Sequence, residues 1–185
     1  MPTVENFVKR RVATLAKSDP IIKRQAVRAK ANAVAQALHV EKVNSLAEAV
    51  TIYGRMGRLL GEQIESEMDV VKIVNLGLPA SALDLLVAEI GVDIRLIGSE
   101  TTVRRRIQEK QHFTVDESER LVRLARITSM AEELFGGTQA ASAWLSRRSD
   151  YLPGSEPISP LELSATDSGA RVVESMMLQT AHGIF

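Results

Sequence analysis

The sequence predicts an all-α protein. Apolar residues recur at helical spacing along most of the 185 residues, and the segments carrying them open on capping residues and close on glycine. No sustained alternation of apolar and polar residues marks a strand.

The expected elements follow in order. Ile22, Ala26, Ala29, Ala33 and Ala37, with Val27, Val34 and Leu38 beside them, form a helix-period apolar set in an N-terminal arm. Ser45-Leu46-Ala47-Glu48 has the form of a capping box, in which the hydroxyl takes the third helical N–H and the glutamate reaches back. Gly77-Leu78-Pro79 stops one segment and opens the next, since Pro suits a first helical turn. Ala80 to Ile90 reads as an amphipathic helix with Leu83, Leu86, Val87 and Ile90 inward. Gly91 permits a left-handed turn, Ile94 and Ile97 continue the core, and Gly98 supplies a second break. Ser99 is the N-cap of a further helix anchored by Val103 and Ile107.

Thr114-Val115-Asp116-Glu117 is a second capping box. It opens a helix with Leu121, Leu124, Ala125, Ile127, Ala131 and Leu134 inward, ended by Gly136-Gly137. A short helix holds Ala140, Ala143, Trp144 and Leu145, and its lone tryptophan reads as core. Ser149 to Pro160 is loop-like, with Pro153, Gly154, Pro157 and Pro160. Ser159-Pro160-Leu161-Glu162 combines a cap, Pro at the first helical position and Glu at the third. The last helix, near Asp167 to Ala181, points Val172, Val173, Met176, Met177 and Thr180 inward before Gly183 closes it.

Composition narrows the function classes. Hydrophobic residues make up 45% and charged residues 25%, as in an ordinary globular protein. The absence of cysteine excludes disulfides, thiolate catalysis, Fe–S clusters and Cys-ligated zinc. Aromatic residues are only 4%, which argues against a base-stacking surface. No apolar run approaches a membrane span, and the N-terminus lacks the apolar core of a secretory signal, so a cytoplasmic location is expected. The net charge of zero conceals a division. Residues 1 to 60 carry eleven Lys and Arg against four acids, a charge of +7, and the remainder carries −7. A basic segment of this kind is either a solvated helical face or an arm that meets phosphate or an acidic partner.

Conventional catalytic signatures are missing. His39, His112 and His182 lack the spacing and acid partners of a helical metal site, so no metal and no cofactor is expected. There is no phosphate-binding glycine loop; Gly54-Arg55-Met56-Gly57-Arg58 has no strand before it, and no G-x-S-x-G elbow exists. The acids Glu62, Glu65, Glu67 and Asp69 read as a solvated helix face. An acid–base pair of Asp167 and His182 is the only enzymatic arrangement on offer.

The helix after Ser99 is more informative. With Val103 and Ile107 inward, about 100° per residue places Thr101, Arg105 and Gln108 outward and Thr102, Arg104 and Arg106 on the flanks. Short polar residues at a helix start followed by arginines suit base-edge reading and phosphate clamping, the arrangement of a helix-turn-helix. Asp93, Glu100 and Glu109 stand among these arginines and oppose phosphate.

The series Gly77-Leu78-Pro79, Thr102-Val103-Arg104-Arg105-Arg106 and Glu117-Ser118-Glu119-Arg120-Leu121 continues with Phe135-Gly136 and Ala143-Trp144-Leu145. Pro157, Gly169 and Ala181-His182-Gly183-Ile184-Phe185 complete it. In this order the chain resembles the Xre-type antitoxins of RES–Xre toxin–antitoxin systems over about residues 70 to 185. The resemblance implies three parts: a basic helical arm over 1–69, an Xre-like helix-turn-helix module for dimerisation and DNA binding over 70–113, and a helical toxin-binding domain over 114–185. It implies a homodimer, not an enzyme, that neutralises a NAD-depleting RES-domain toxin by placing its C-terminal tail in the toxin's active site. The tail residues carried over are Gln179, His182, Gly183, Ile184 and Phe185. It also implies repression of the antitoxin's own promoter through Thr101, Thr102, Arg104, Arg105, Arg106 and Gln108. A stand-alone dimeric helix-turn-helix transcription regulator is the alternative.

Overall fold

A 21-residue helix forms the spine of the fold, and the other elements gather around it. The structure is a computed structural model, and it describes residues 51–151 and 156–181, all within one unit, Glu48–Phe185. The expected arm helix, the Ser45 capping box, His39, Gly183 and the four C-terminal residues lie outside the described residues.

Helix α1 (Ile52–Leu60) begins where the Thr51 side chain accepts from Gly54 N–H and stops at left-handed Gly61. Helix α2 (Glu67–Leu76) starts at Ser66, with Glu67 and Asp69 in the first turn where the helix dipole favours acids. It ends at Gly77, whose φ of 80° a side chain would resist. Pro79 is extended and precedes helix α3 (Ala80–Ile90), so proline stands at the N-cap rather than inside the first turn. After Gly91 the chain makes a single 3-10 turn (Ile94–Leu96) and enters helix α4 (Glu100–Gln108) from the Ser99 cap. Helix α5 (Val115–Phe135) opens on the complete Thr114–Glu117 capping box and ends at left-handed Gly136. Helices α6 (Thr138–Leu145), α7 (Pro160–Leu163) and α8 (Asp167–Ala181) follow, α7 with its Ser159–Glu162 capping box and Pro160 at the first position. Among the described residues there is no strand, only isolated bridges between Pro79 and His112 and between Ser149 and Ile158.

Helix α5 packs against α1, α2, α6 and α8. Its Leu121, Leu124, Ala125, Ile127 and Ala131 are fully buried, and each leucine or isoleucine side chain contributes roughly 1.5–3 kcal/mol when removed from water. Met56 in segment 1–69, Leu83 in 70–113 and Leu124 in 114–185 belong to one apolar cluster, so the core runs through the expected boundaries. Met56, Leu59 and Leu60 of α1 are buried in it although they sit at the end of the basic arm.

Several sequence expectations are corrected. Val87, expected inward, is 40% exposed, because Ala82, Leu83, Leu86 and Ile90 define a buried stripe and Val87 lies at its edge. Val172, also expected inward, is 49% exposed: α8 turns Gly169, Ala170, Val173 and Met177 to the core, and Val172 is about 100° off that line. Glu62 and Glu65 precede α2 and do not share a helix face with Glu67 and Asp69. Ile94, expected to continue the core beside Ile97, is only partly buried, in the 3-10 turn between Gly91 and Gly98. Trp144 is half-buried and tilts against Phe135, ring centroids 5.3 Å apart.

Candidate functional site

Two surfaces hold the residues singled out by the sequence: the outer face of α4 and the end of α8. Helix α4 is short, and its placement depends on contacts beyond itself. Val103 is fully buried and Ile107 partly so. Ser99 Oγ donates to Thr102 Oγ1 at 2.8 Å and accepts from Thr102 N–H, so Thr102 is occupied in the cap. Thr101, Arg105 and Gln108 are exposed, as the helical rotation requires, and with Glu100 and Arg104 they line an open recess of about 410 Å³.

The three arginines have separate fates. Arg104 donates to Glu100 Oε1 through Nε and Nη2 at 2.9 and 2.7 Å, one turn back along the helix. Arg105 has no side-chain partner among the described residues and is the free cation of the helix. Arg106 turns inward: Nε lies 2.9 Å from Glu117 Oε2, and Nη1 donates to the His112 carbonyl at 3.2 Å. Its side chain is only 18% exposed and that of Glu117 10%. The expected flank position of Arg106 is thereby a strut between α4 and the start of α5. Arg120 adds a second strut, donating from Nη1 to the Ile97 carbonyl at 2.6 Å.

Of the neighbouring acids, Asp93 is held by Arg95, which donates from Nε and Nη2 and from its backbone N–H. That bonding, side chain first, keeps the Asp93 carboxyl below its ordinary value. Glu100 is paired with Arg104, and Glu109 accepts from Gln111 at 2.7 Å. No cation engages Glu109 among the described residues, so α4 keeps a mixed field.

Sequence reasoning missed what holds the preceding turn. Ser118 Oγ, fully buried on α5, accepts from Leu78 N–H at 2.9 Å. His112 Nδ1 stands 2.7 Å from the Gly77 carbonyl. A Cβ on Gly77 would approach Phe113 O to 2.4 Å, which explains glycine there beyond the turn itself. The sequence showed a stop signal at 77–79 but could not show its partner 40 residues away.

Helix α8 carries the C-terminal candidates. Gln179 is exposed in the last turn, with Leu178 beside it at 56%; His182, Gly183, Ile184 and Phe185 lie outside the described residues. Asp167, in the first turn, is paired with Arg171 at 3.0 Å. About 21 Å of helix separates Asp167 from Ala181, and His182, the other member of the expected acid–base pair, lies outside the described residues. Among the described residues, no three His, Asp or Glu side chains gather as a metal site, and no helix is long and apolar enough to cross a membrane.

The described residues form helices around one central helix, with the short, polar-faced α4 on one side and α8 following α7. No protein-family model matches the chain. Relatives do: it is 43% identical over 82 residues to "Antitoxin Xre" of Pseudomonas putida, a match covering 44% of this chain and 50% of that protein. It is 31% identical over 118 residues to "Antitoxin Xre" of Photorhabdus laumondii, covering 60% and 78%. It is 37% identical over 90 residues to the protein of the same name from Yersinia enterocolitica, covering 48% and 58%. The chain belongs to the Xre antitoxin family, and its match spans about half the length of the Pseudomonas relative.

Proposed function

We propose that this chain is the antitoxin of a type II toxin–antitoxin pair, acting in the cytoplasm by binding rather than catalysis. It neutralises a NAD-depleting RES-domain toxin by placing its C-terminal tail in the toxin's active site. The likeness to three Xre antitoxins is the observation that carries this reading. The chemistry of the tail is consistent with it. Gln179 is exposed at the end of α8, and the sequence beyond continues His182-Gly183-Ile184-Phe185. Two apolar anchors, Ile184 and Phe185, suit an apolar pocket. In this reading residues 114–185 bind the toxin.

Residues 70–113 form the module that holds promoter DNA, and a homodimer presents two copies of α4 to a palindromic site. Thr101, Arg105 and Gln108 make the outward contacts, and Arg104 flanks them. Thr102 and Arg106 serve the placement of the helix, because both are engaged internally.

The test is NAD consumption by the RES-domain product of the neighbouring gene, titrated with the intact chain and with a chain ending at Ala181. Stoichiometric inhibition by the intact chain, lost on truncation, is the expected result. Full inhibition by the truncated chain refutes occlusion by the tail, and no inhibition by either form refutes the RES-directed reading.

A further inference from the structure

Helices α2, α5 and α8 line a groove of about 610 Å³ that includes no residue of α4. Its floor is apolar: Val70, Val74, Val122 and Ala170 are each under 9% exposed. Its walls rise to Val71 on α2 and Val115 on α5, which are 47% and 44% exposed. Beyond the wall, α2 shows Met68 at 63%, three residues before Val71 and on the same side of the helix. An apolar ridge thus stands beside an apolar groove, although single exposed apolar residues elsewhere need no explanation.

The charges around the groove sort into two groups. Glu67 and Arg126 satisfy one another at 2.7 Å, as do Asp167 and Arg171 at 3.0 Å. Glu119 and Glu174 have no side-chain partner among the described residues. Arg123, four residues after Glu119 on α5, donates to the Ala165 carbonyl at 3.0 Å and makes no ion pair among the described residues. Uncompensated charge of both signs therefore lies on one patch. A partner of single sign would leave one set unmatched. A two-fold axis matches both, because each copy then offers the other its Arg123 and its two carboxylates.

The geometry points to this face as the interface between two copies of the chain, with the Met68–Val71 ridge of one seated in the groove of the other. The inference goes beyond the antitoxin reading, since it assigns the surface that makes the dimer and not the one that meets the toxin.

The experiment is sedimentation equilibrium of the full chain and of Val71→Glu, Met68→Glu and Val87→Glu, with circular dichroism to verify the fold. All three positions are 40% or more exposed, so the substitutions spare the core. The native chain is expected at twice 20.3 kDa. Val71→Glu and Met68→Glu should each raise the dimer dissociation constant by at least about tenfold, and Val87→Glu on α3 should not. A chain ending at Ala181 should remain dimeric while losing toxin inhibition, which separates this proposal from the preceding one. A monomeric native chain overturns the inference. So does a dimer indifferent to Val71→Glu and Met68→Glu, and so does a dimer lost with the tail, which would make the tail the groove's occupant.

Discussion

Replacing Arg106 by methionine separates a strut from a phosphate contact. Methionine keeps much of the side-chain volume and removes the guanidinium that lies 2.9 Å from Glu117 and donates to the His112 carbonyl. Breaking a buried ion pair by deleting one partner costs about 3–5 kcal/mol. Here the stranded carboxylate keeps two bonds from its capping box, from Thr114 N–H at 2.8 Å and Thr114 Oγ1 at 3.0 Å. The charge is therefore still solvated by donors, and the expected loss falls to about 2 kcal/mol. For a unit of this size that lowers Tm by roughly 6–10 °C. Arg105→Met, at an exposed side chain without a partner, should stay within about 0.5 kcal/mol of the native chain. Thermal unfolding followed by circular dichroism at one fixed protein concentration measures both. A promoter-binding titration across salt, performed well below Tm, supplies the second readout. Arg105→Met should flatten the slope of log affinity against log salt by about 0.9 for each α4 on the DNA, about 1.8 for the homodimer, and Arg106→Met should leave the slope unchanged. The reasoning is refuted by an Arg106→Met protein as stable as the native one, or one that loses the salt slope while Arg105→Met keeps it.

Further outcomes follow from other contacts. Glu132, only 6% exposed on α5, joins α1 through Arg58 at 2.8 Å and α6 through Thr138 Oγ1 at 2.7 Å. Glu132→Ala should cost about 2–3 kcal/mol, less than a wholly buried pair because Arg58 is 42% exposed and retains Glu89. Glu133→Ala, at a 64% exposed side chain, should cost under about 1 kcal/mol when both variants are unfolded in urea, and equal losses would contradict the account. Gly169→Ala places a Cβ 1.8 Å from the Leu163 carbonyl oxygen, so α8 must shift from α7. A loss of about 3 kcal/mol or more, with faster amide exchange in α8, is expected, and an unchanged exchange pattern would count against it. Acid should destabilise the fold in a defined window. Lys72 and Ser66, bonding the Asp69 carboxyl, lower it from 3.8 to about 2, and Arg126 beside Glu67 and the Ser159 backbone at Glu162 lower those carboxyls from 4.5. Depressed folded values mean stability that is complete above the ordinary values and is lost as pH falls through the folded ones. Tm should hold down to about pH 4.5 and fall toward pH 2, and a flat profile there would exclude these carboxylates as contributors.

The sequence by itself determined several of the helix ends, those of α5 and the starts of α4 and α7 among them. A cap is a contact among residues three apart, and Thr114 with Glu117 or Ser159 with Glu162 completes it without help from the rest of the chain. Gly91 and Gly136 stop their helices through their own backbone freedom, so these ends were also legible. Helical rotation correctly placed Thr101, Arg105 and Gln108 outward for the same reason.

Only the tertiary structure decided what each helix face meets. Val87 and Val172 are apolar and near a buried stripe, yet no helix among the described residues covers them, and hydrophobicity alone cannot report that. Arg104, Arg105 and Arg106 are identical in chemistry and adjacent in sequence; the approach of Glu117 makes one a strut, Glu100 ties the second, and the third has no side-chain partner among the described residues. The groove of α2, α5 and α8 brings Val71, Val115 and Ala170 together across about a hundred residues of chain. Periodicity orders residues within one helix, and the distances between helices are fixed by packing and by ion pairs that join residues far apart in sequence.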